Sequence, residues 1–271
     1  MRLGVITLQD APWPELVERW HRLEELGVET IWVADHLGGN WSADEQPWFE
    51  AWSCVTALAY ETARPRIGPL VSPMTFRNPA VLARTALTVA ELSGGRLELG
   101  VGSGASDFDH ELTEVPKWTP KARAAAFTAW VERLLEVLAH ENLHPKREIP
   151  LTIAGRGKTI LGVAARYADR WNTFGGVGKS AEDALREGRA DNDRLDELCA
   201  ETGRTVLRSV LLGYPFVAQT LWESDAGWAE AVSGWEGAGF EEMIVYYPPE
   251  WGMPAGSVTP GVFERAFSSK G

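Results

Sequence analysis

Basic charge, cysteine and long apolar runs are all scarce in this chain, and each scarcity closes off a class of function. Only 26 Lys and Arg stand against 38 Asp and Glu, for a formal charge of −12, and the cations are scattered. That balance repels a phosphate backbone, so no nucleic-acid partner is expected. Two cysteines in 271 residues, Cys54 and Cys199, lie far apart without metal-ligand spacing, and each reads as a small buried hydrophobe. No window reaches membrane-spanning length, and the first residues alternate like a strand with no charged segment leading into an apolar one. No membrane partner and a cytoplasmic location are expected, which makes the Asn40-Trp41-Ser42 sequon incidental.

Three motifs are incomplete in ways that matter. His140-Glu141-Asn142-Leu143-His144 has H-E-x-x-H spacing, but Pro145 stops a helix at once and no histidine follows as a third ligand, so no metal is expected. Two histidines at a helix C-terminus, facing the negative end of the dipole, are the simpler reading. Gly157-Lys158-Thr159 ends like a phosphate loop, yet Thr152 stands where that pattern needs glycine. Gly100-Val101-Gly102-Ser103-Gly104 lacks both the spacing of a dinucleotide fingerprint and a helix directly after it.

What the chain has is alternation. Short apolar runs switch repeatedly to longer helical periods, with an apolar content of 45%. Strands are predicted at Leu3–Leu8, Thr30–Ala34, Arg66–Ser72, Ile149–Ala154, Arg170–Thr173, Val206–Leu212 and Glu242–Tyr246, with a further one, fourth in order, after Ser93-Gly94-Gly95 that ends at the glycines before Gly104, and helices between and after them. The unit from Arg64 to Gly104 is the clearest. There, Asn78 and Pro79 open a helix that shows Val81, Leu82, Thr85, Val89 and Leu92 on one face, and Ser93-Gly94-Gly95 ends it. Eight strand–helix pairs in strict order predict an α/β fold, a (β/α)8 TIM barrel, as one domain over residues 1–271. An open doubly wound sheet would need a fingerprint turn after strand one, and Leu8-Gln9-Asp10-Ala11-Pro12 has none.

Chemistry in such barrels sits at the strand tips. Strand two ends in Asp35-His36. An isolated Asp-His pair is equally a structural device, the carboxylate fixing an imidazole tautomer, but at a barrel mouth His36 becomes a candidate acid/base. Backbone-open tips follow at Gly102-Ser103, at Ala154-Gly155-Arg156-Gly157 and at Phe174-Gly175-Gly176. The second of these adds the cations Arg156 and Lys158 before a helix start, as in an anion seat, and the three together suggest a ligand carrying phosphate. Of 13 tryptophans, Trp20, Trp32 and Trp130 fall in apolar-periodic segments, whereas Trp13, Trp41, Trp48, Trp118 and Trp251 fall where strands give way to loops. Trp13, Trp41, Trp48, Tyr246 and Trp251 are expected to wall an apolar substrate pocket.

Four stretches taken together resemble the bacterial luciferase-like monooxygenase superfamily, closest to its coenzyme F420-dependent branch: G-V-E-T-I-W-V-A-D-H-L, V-S-P-M-T-F-R-N-P-A-V-L-A-R, S-G-G-R-L-E-L-G-V-G-S-G and I-P-L-T-I-A-G-R-G-K-T with A-A-R-Y-A-D-R-W-N-T-F-G-G. The resemblance implies a deazaflavin or FMN lying across the strand tips. It implies a ring supported by a strand-three bulge with a non-proline cis peptide, here within Gly68-Pro69-Leu70-Val71 and continuing to Ser72. Pro69 stands where a small or hydroxyl residue is usual, so the cis bond is expected before or after Pro69. The implied phosphate seat is Gly155, Arg156, Gly157, Gly175 and Gly176. Asp35 matches the residue contacting the deazaflavin, and His36 the active-site histidine of F420-dependent sugar-phosphate dehydrogenases.

The implied function is an F420-dependent oxidoreductase moving a hydride to or from a small apolar or aromatic substrate, with His36 and Asp35 catalytic. The alternatives are an FMN-dependent monooxygenase using oxygen, or a non-catalytic flavin-binding protein. Relatives commonly form homodimers, and the Trp-rich helix Leu221–Trp235 is a candidate for core or interface. Two departures disfavour glucose-6-phosphate chemistry. Ala105 stands in the place of a catalytic Glu, and Ser106-Asp107-Phe108-Asp109-His110-Glu111 replaces the usual loop.

Overall fold

A computed structural model describes residues 1–38, 46–175, 180–212, 221–249 and 258–268. The chain runs β1 (Arg2–Thr7), α1 (Trp13–Glu25), β2 (Thr30–Val33), α2 (Ala51–Glu61), β3 (Arg66–Pro69), β4 (Ser72–Pro73), α3 (Pro79–Leu92), β5 (Leu99–Gly102) and α4 (Asp107–Thr113). It continues with α5 (Pro120–Ala139), β6 (Leu151–Ala154), α6 (Lys158–Tyr167), β7 (Arg170–Gly175), α7 (Ala181–Thr202), β8 (Leu207–Leu212), α8 (Asp225–Gly237), β9 (Glu242–Tyr247) and α9 (Val262–Ser268). The strands lie in the order β3-β2-β1-β9-β8-β7-β6-β5-β4, every named pair parallel. Bonds from Ile67 N–H to the Arg96 carbonyl (3.0 Å) and from Glu98 N–H to the Ile67 carbonyl (2.9 Å) bring the two ends of the row together. The TIM-barrel expectation holds.

Side-chain alternation divides the apolar residues into two layers. Val5, Ile31, Val33, Ile67, Val101, Ile153, Val210 and Val245 point outward to the helices and form the main core with Leu16, Trp20, Leu82, Phe127 and Phe263. Ile6, Leu8, Trp32, Ala34, Leu70, Leu211 and Ile244 form a second cluster inside the barrel. Trp32 is fully buried there; Gly68 on β3 lies opposite it in register, and Gly4 on β1, opposite Thr30, also leaves room for its ring. A Cβ on either would lie 3.2 or 3.3 Å from the indole, so the interior is filled by one large ring and two bare backbones.

The structure departs from the sequence expectation in three places. Strand three is interrupted: β3 ends at Pro69, and the chain steps through a cis Leu70–Val71 peptide before β4. The bonds around Pro69 are therefore not the cis ones. Pro69 is held in register with Val33, and Leu70 N–H still donates to the Val33 carbonyl (2.9 Å), so the proline itself stays in the ladder and the break comes after it. In α3 the buried face is Leu82, Ala83, Ala86, Leu87, Val89 and Ala90, while Val81 and Leu92 are exposed. Alanines let this helix sit close to its neighbours, which a search for large apolar residues does not register. The segment after β5 is not a plain loop, since it contains α4.

Candidate active site

Above the inner cluster, the strand tips enclose a cavity of about 380 Å³. The inward phase of the strands supplies its base and sides: Ile6 and Leu8 from the first, Asn172 and Phe174 from β7, Leu211 from β8 and Tyr246 from β9. Of the residues singled out from sequence, Asp35, His36, Trp48, Leu70, Val71, Gly102, Ser103, Ala154, Gly155, Arg156, Phe174 and Tyr246 line it. Pro69, Ser72, Gly157 and Gly175 do not. Pro69 turns its carbonyl towards Gly100, where an added Cβ would come within 2.1 Å of it, and Ser72 turns away to Asp35 and Trp52. Gly175 packs against Leu212, and Gly157 begins α6 with nothing near its missing side chain. Trp13 is not a wall of this cavity: it stands edge-on to Trp20 and Phe49 on the flank of α1. Trp41, Gly176 and Trp251 lie outside the described residues.

Asp35 and His36 are adjacent in sequence but serve different networks. The Asp35 carboxylate is buried (3% exposed) and accepts from Ser72 Oγ at 2.6 Å and from both terminal nitrogens of Arg77, which also reaches Glu50 at 2.6 Å. Burial pushes its pKa up, opposed by Arg77 and Ser72. With those partners it holds the tip of strand two in place, which is a poor arrangement for proton exchange. The carboxylate beside His36 comes instead from Asp109 on α4, with Nδ1 and Oδ2 2.6 Å apart. Asp109 Oδ1 also accepts the Leu37 N–H at 3.0 Å. Burial acts to raise the Asp109 pKa, but the bonds from His36 and Leu37 outweigh it and hold the carboxyl below the usual range.

Several tryptophans hold the site from behind. Indole N–H groups donate from Trp48 to the His36 carbonyl (2.7 Å), from Trp52 to Ser72 Oγ (2.8 Å), from Trp130 to the Arg77 carbonyl (3.1 Å) and from Trp171 to the Gly155 carbonyl (2.8 Å). Each satisfies a polar group at a strand end or in the turn that follows one, while burying a large apolar body. Trp48 alone among these four also lines the cavity.

The anion-seat expectation needs correction at one residue. Arg156 lines the cavity, but its guanidinium bonds Asp191 (2.5 Å) and Glu187 (2.6 Å) of α7, so its charge is already matched. Burial acts to lower its pKa, and those two carboxylates raise it further than burial lowers it. The backbone is better suited. Gly155 lines the cavity at a φ of 130°, and the N-cap of α6 is Gly157, so no side chain caps the helix's first N–H groups. A flat apolar ring against Leu70, Val71, Phe174 and Trp48, with a phosphate towards the start of α6, fits these residues.

Other expectations fall out plainly. Both cysteines are buried, and burial pushes the Cys54 thiol up to about 12. α5 ends at Ala139, so His140 caps it and His144 lies beyond, away from any shared helical face. No helix among the described residues is long and apolar enough to cross a membrane.

A model of the luciferase-like monooxygenase family matches residues 1–263. The chain belongs to that family. This luciferase-like protein is 32% identical over 184 residues to the F420-dependent glucose-6-phosphate dehydrogenase of Amycolatopsis mediterranei (strain U-32), a match covering 60% of this chain and 54% of that enzyme. It thus spans about half the length of the curated relatives it matches. It is also 28% identical over 124 residues to the 4-hydroxyprotoasukamycin monooxygenase of Streptomyces nodosus subsp. asukaensis, covering 45% of this chain and 32% of that one. In fold it is similar to an F420-dependent secondary alcohol dehydrogenase solved with an F420-acetone adduct. The TM-score is 0.78 at 16% identity, over 98% of this chain and 96% of the other.

Asp109 is the ionisable cavity residue that the sequence reading left unassigned. A signal was present: Ser106-x-x-Asp109 is a capping-box pattern, and Ser106 Oγ does accept the Asp109 N–H. Ile6, Leu8, Asn172 and Leu211 were accessible too, from strict two-residue alternation back from the strand tips.

Proposed function

We propose that this luciferase-like protein is a coenzyme F420-dependent oxidoreductase acting on a small, apolar or aromatic substrate. The observation that carries the reading is the single cavity gathering His36, the Leu70–Val71 step, Gly102 and Gly155 above one apolar interior. The F420-dependent relatives support the choice of coenzyme.

When bound, the coenzyme supplies or accepts a hydride at C5 of its deazaflavin. Leu70 and Val71 would support the ring, with Gly102 keeping the space beside Val71 clear, and the start of α6 would receive the phosphate. His36 holds the accompanying proton, giving it to the substrate as the hydride arrives or taking it in the reverse direction. Trp48 and Tyr246 wall the substrate side and exclude water, and orientation is the protein's main contribution. Burial holds the Tyr246 phenol well above its usual pKa, which suits a wall and not a proton donor. Ala105, standing where the sugar-phosphate dehydrogenases carry a catalytic Glu, argues against a sugar-phosphate substrate.

An FMN-dependent monooxygenase is the second reading, favoured by the monooxygenase relative. Parallel titrations with F420 and FMN, followed by tryptophan quenching and repeated on Trp48→Phe, separate the two. Saturable quenching by F420 that falls in Trp48→Phe is expected. Quenching by FMN alone would replace the first reading with the second.

A further inference from the structure

The ionisable groups that line the cavity all have partners. Asp35 is bound by Ser72 and Arg77, and Arg156 by Asp191 and Glu187. Ala105, just past the end of β5, presents only a methyl to the cavity. One helical turn further, α4 brings Asp109 over the tip of strand two. In a capping box the acid at this helix position reaches back to its own cap. Beyond its contact with the cap residue Ser106, the Asp109 carboxylate reaches across the cavity rim, one oxygen to the Leu37 N–H and one to His36 Nδ1, though it is 73 residues from the histidine in sequence.

We propose that Asp109 is a positioning residue that fixes His36 in the Nδ1–H tautomer, making Nε2 the nitrogen that gains and loses the catalytic proton. An ionised carboxylate only accepts hydrogen bonds, so at 2.6 Å the shared hydrogen belongs to Nδ1. The neutral ring then presents a lone pair at Nε2, and the protonated ring an N–H there. When Nε2 takes a proton, the carboxylate stabilises the imidazolium, and when it gives one up, the ring returns to the same tautomer without turning. Asp109 thus serves through His36 and does not touch the substrate. The proposal rests on His36 being the proton-exchanging group of a hydride-transfer site.

The test is nitrogen-15 imidazole spectroscopy of the full chain, with pH raised until the His36 signals stop moving, before and after adding coenzyme F420. The His36 signals are identified by their loss in His36→Gln. The expected wild-type spectrum shows Nδ1–H favoured at least about tenfold, as a charge-assisted bond to a carboxylate would impose. Asp109→Asn keeps an oxygen for Leu37 but can place an amide N–H opposite Nδ1, so the preference should reverse. Asp109→Glu should restore it at least in part.

Nε2–H dominating in the wild type, or an unchanged preference in a folded Asp109→Asn, would overturn the proposal. If Asp109→Asn does not fold, the wild-type spectrum alone decides. Because the tautomer is read without coenzyme, failure of F420 to bind would count against the functional reading and leave this result standing.

Discussion

At the floor of the barrel, Arg170 lies between Glu98 and Glu242, with Arg66 on the far side of Glu98, and all three central side chains are at most 6% exposed. At the mouth, the strands supply Leu8, Ala34, Leu70, Phe174, Leu211 and Tyr246, while the charges come from strand ends, turns and α4. Both ends use the same inward strand phase. Arg170 stands two and four residues before Asn172 and Phe174, and Glu242 two and four before Ile244 and Tyr246. The difference lies in where the charges find partners. Floor charges are paired with each other and with the Trp32 face, 5.6 Å from Arg170, which closes that end. Mouth charges are paired outward, Asp35 with Arg77 and Arg156 with α7, which leaves an apolar hollow for a ligand with His36 at its rim. A sealed ionic end and an open apolar end are what a barrel enzyme needs, since its chemistry belongs to the strand C-termini.

The largest way to break that contrast is Arg170→Met. Removing the shared cation leaves Glu242 buried and uncompensated and Glu98 with Arg66 alone, and a loss of about 3–5 kcal/mol is expected in urea unfolding, with F420 affinity of the folded protein unchanged. A loss below about 1 kcal/mol, the range of exposed pairs, would mean that the floor is not closed by charge. Gly102→Ala acts at the other end. Its Cβ would lie 2.6 Å from Val71 Cγ2, so Val71 must shift. F420 binding by fluorescence titration should weaken about tenfold, ~1.4 kcal/mol, and unaltered affinity would remove Val71 from the ring seat.

The smallest effect is a difference in sign with pH. Asp109 has a lowered pKa, so its stabilisation is full above the unfolded value of about 3.9 and is lost as pH falls through the folded one. Glu242 is raised by burial, against the pull of Arg170, so its cost to folding grows as pH rises from about 4.3 through the folded value. In urea titrations from about pH 3 to 7, Asp109→Asn should approach the wild type as acid is added. Glu242→Gln should gain on the wild type as acid is withdrawn. Parallel trends in the two variants would erase the distinction between the two ends.

Much of this arrangement was legible in the sequence. Period-two apolar runs bounded by glycine and proline located the strands, because each strand buries one face on helices and the other in the barrel. Asp35, His36 and the glycine-rich tips followed from strand ends alone. The partner of His36 did not. Local pattern placed Asp35 beside it, whereas the fold turns Asp35 to Arg77 and brings Asp109 from a short helix hidden in an apparent loop. The tryptophans were also misassigned in part: an indole N–H bonding a strand-tip carbonyl leaves the same sequence trace as an indole walling a pocket. The Leu70–Val71 step was misplaced by one or two bonds, since a proline draws attention to its own peptide and here remains in the sheet ladder.

The central claim is that the mouth cavity seats a deazaflavin. A crystal structure of the protein soaked with coenzyme F420 tests it most directly. Density for the ring against Leu70 and Val71, with the phosphate at Gly155 and the start of α6, is the expected result. A cavity without coenzyme at saturating concentration, or F420 bound elsewhere on the molecule, would contradict it.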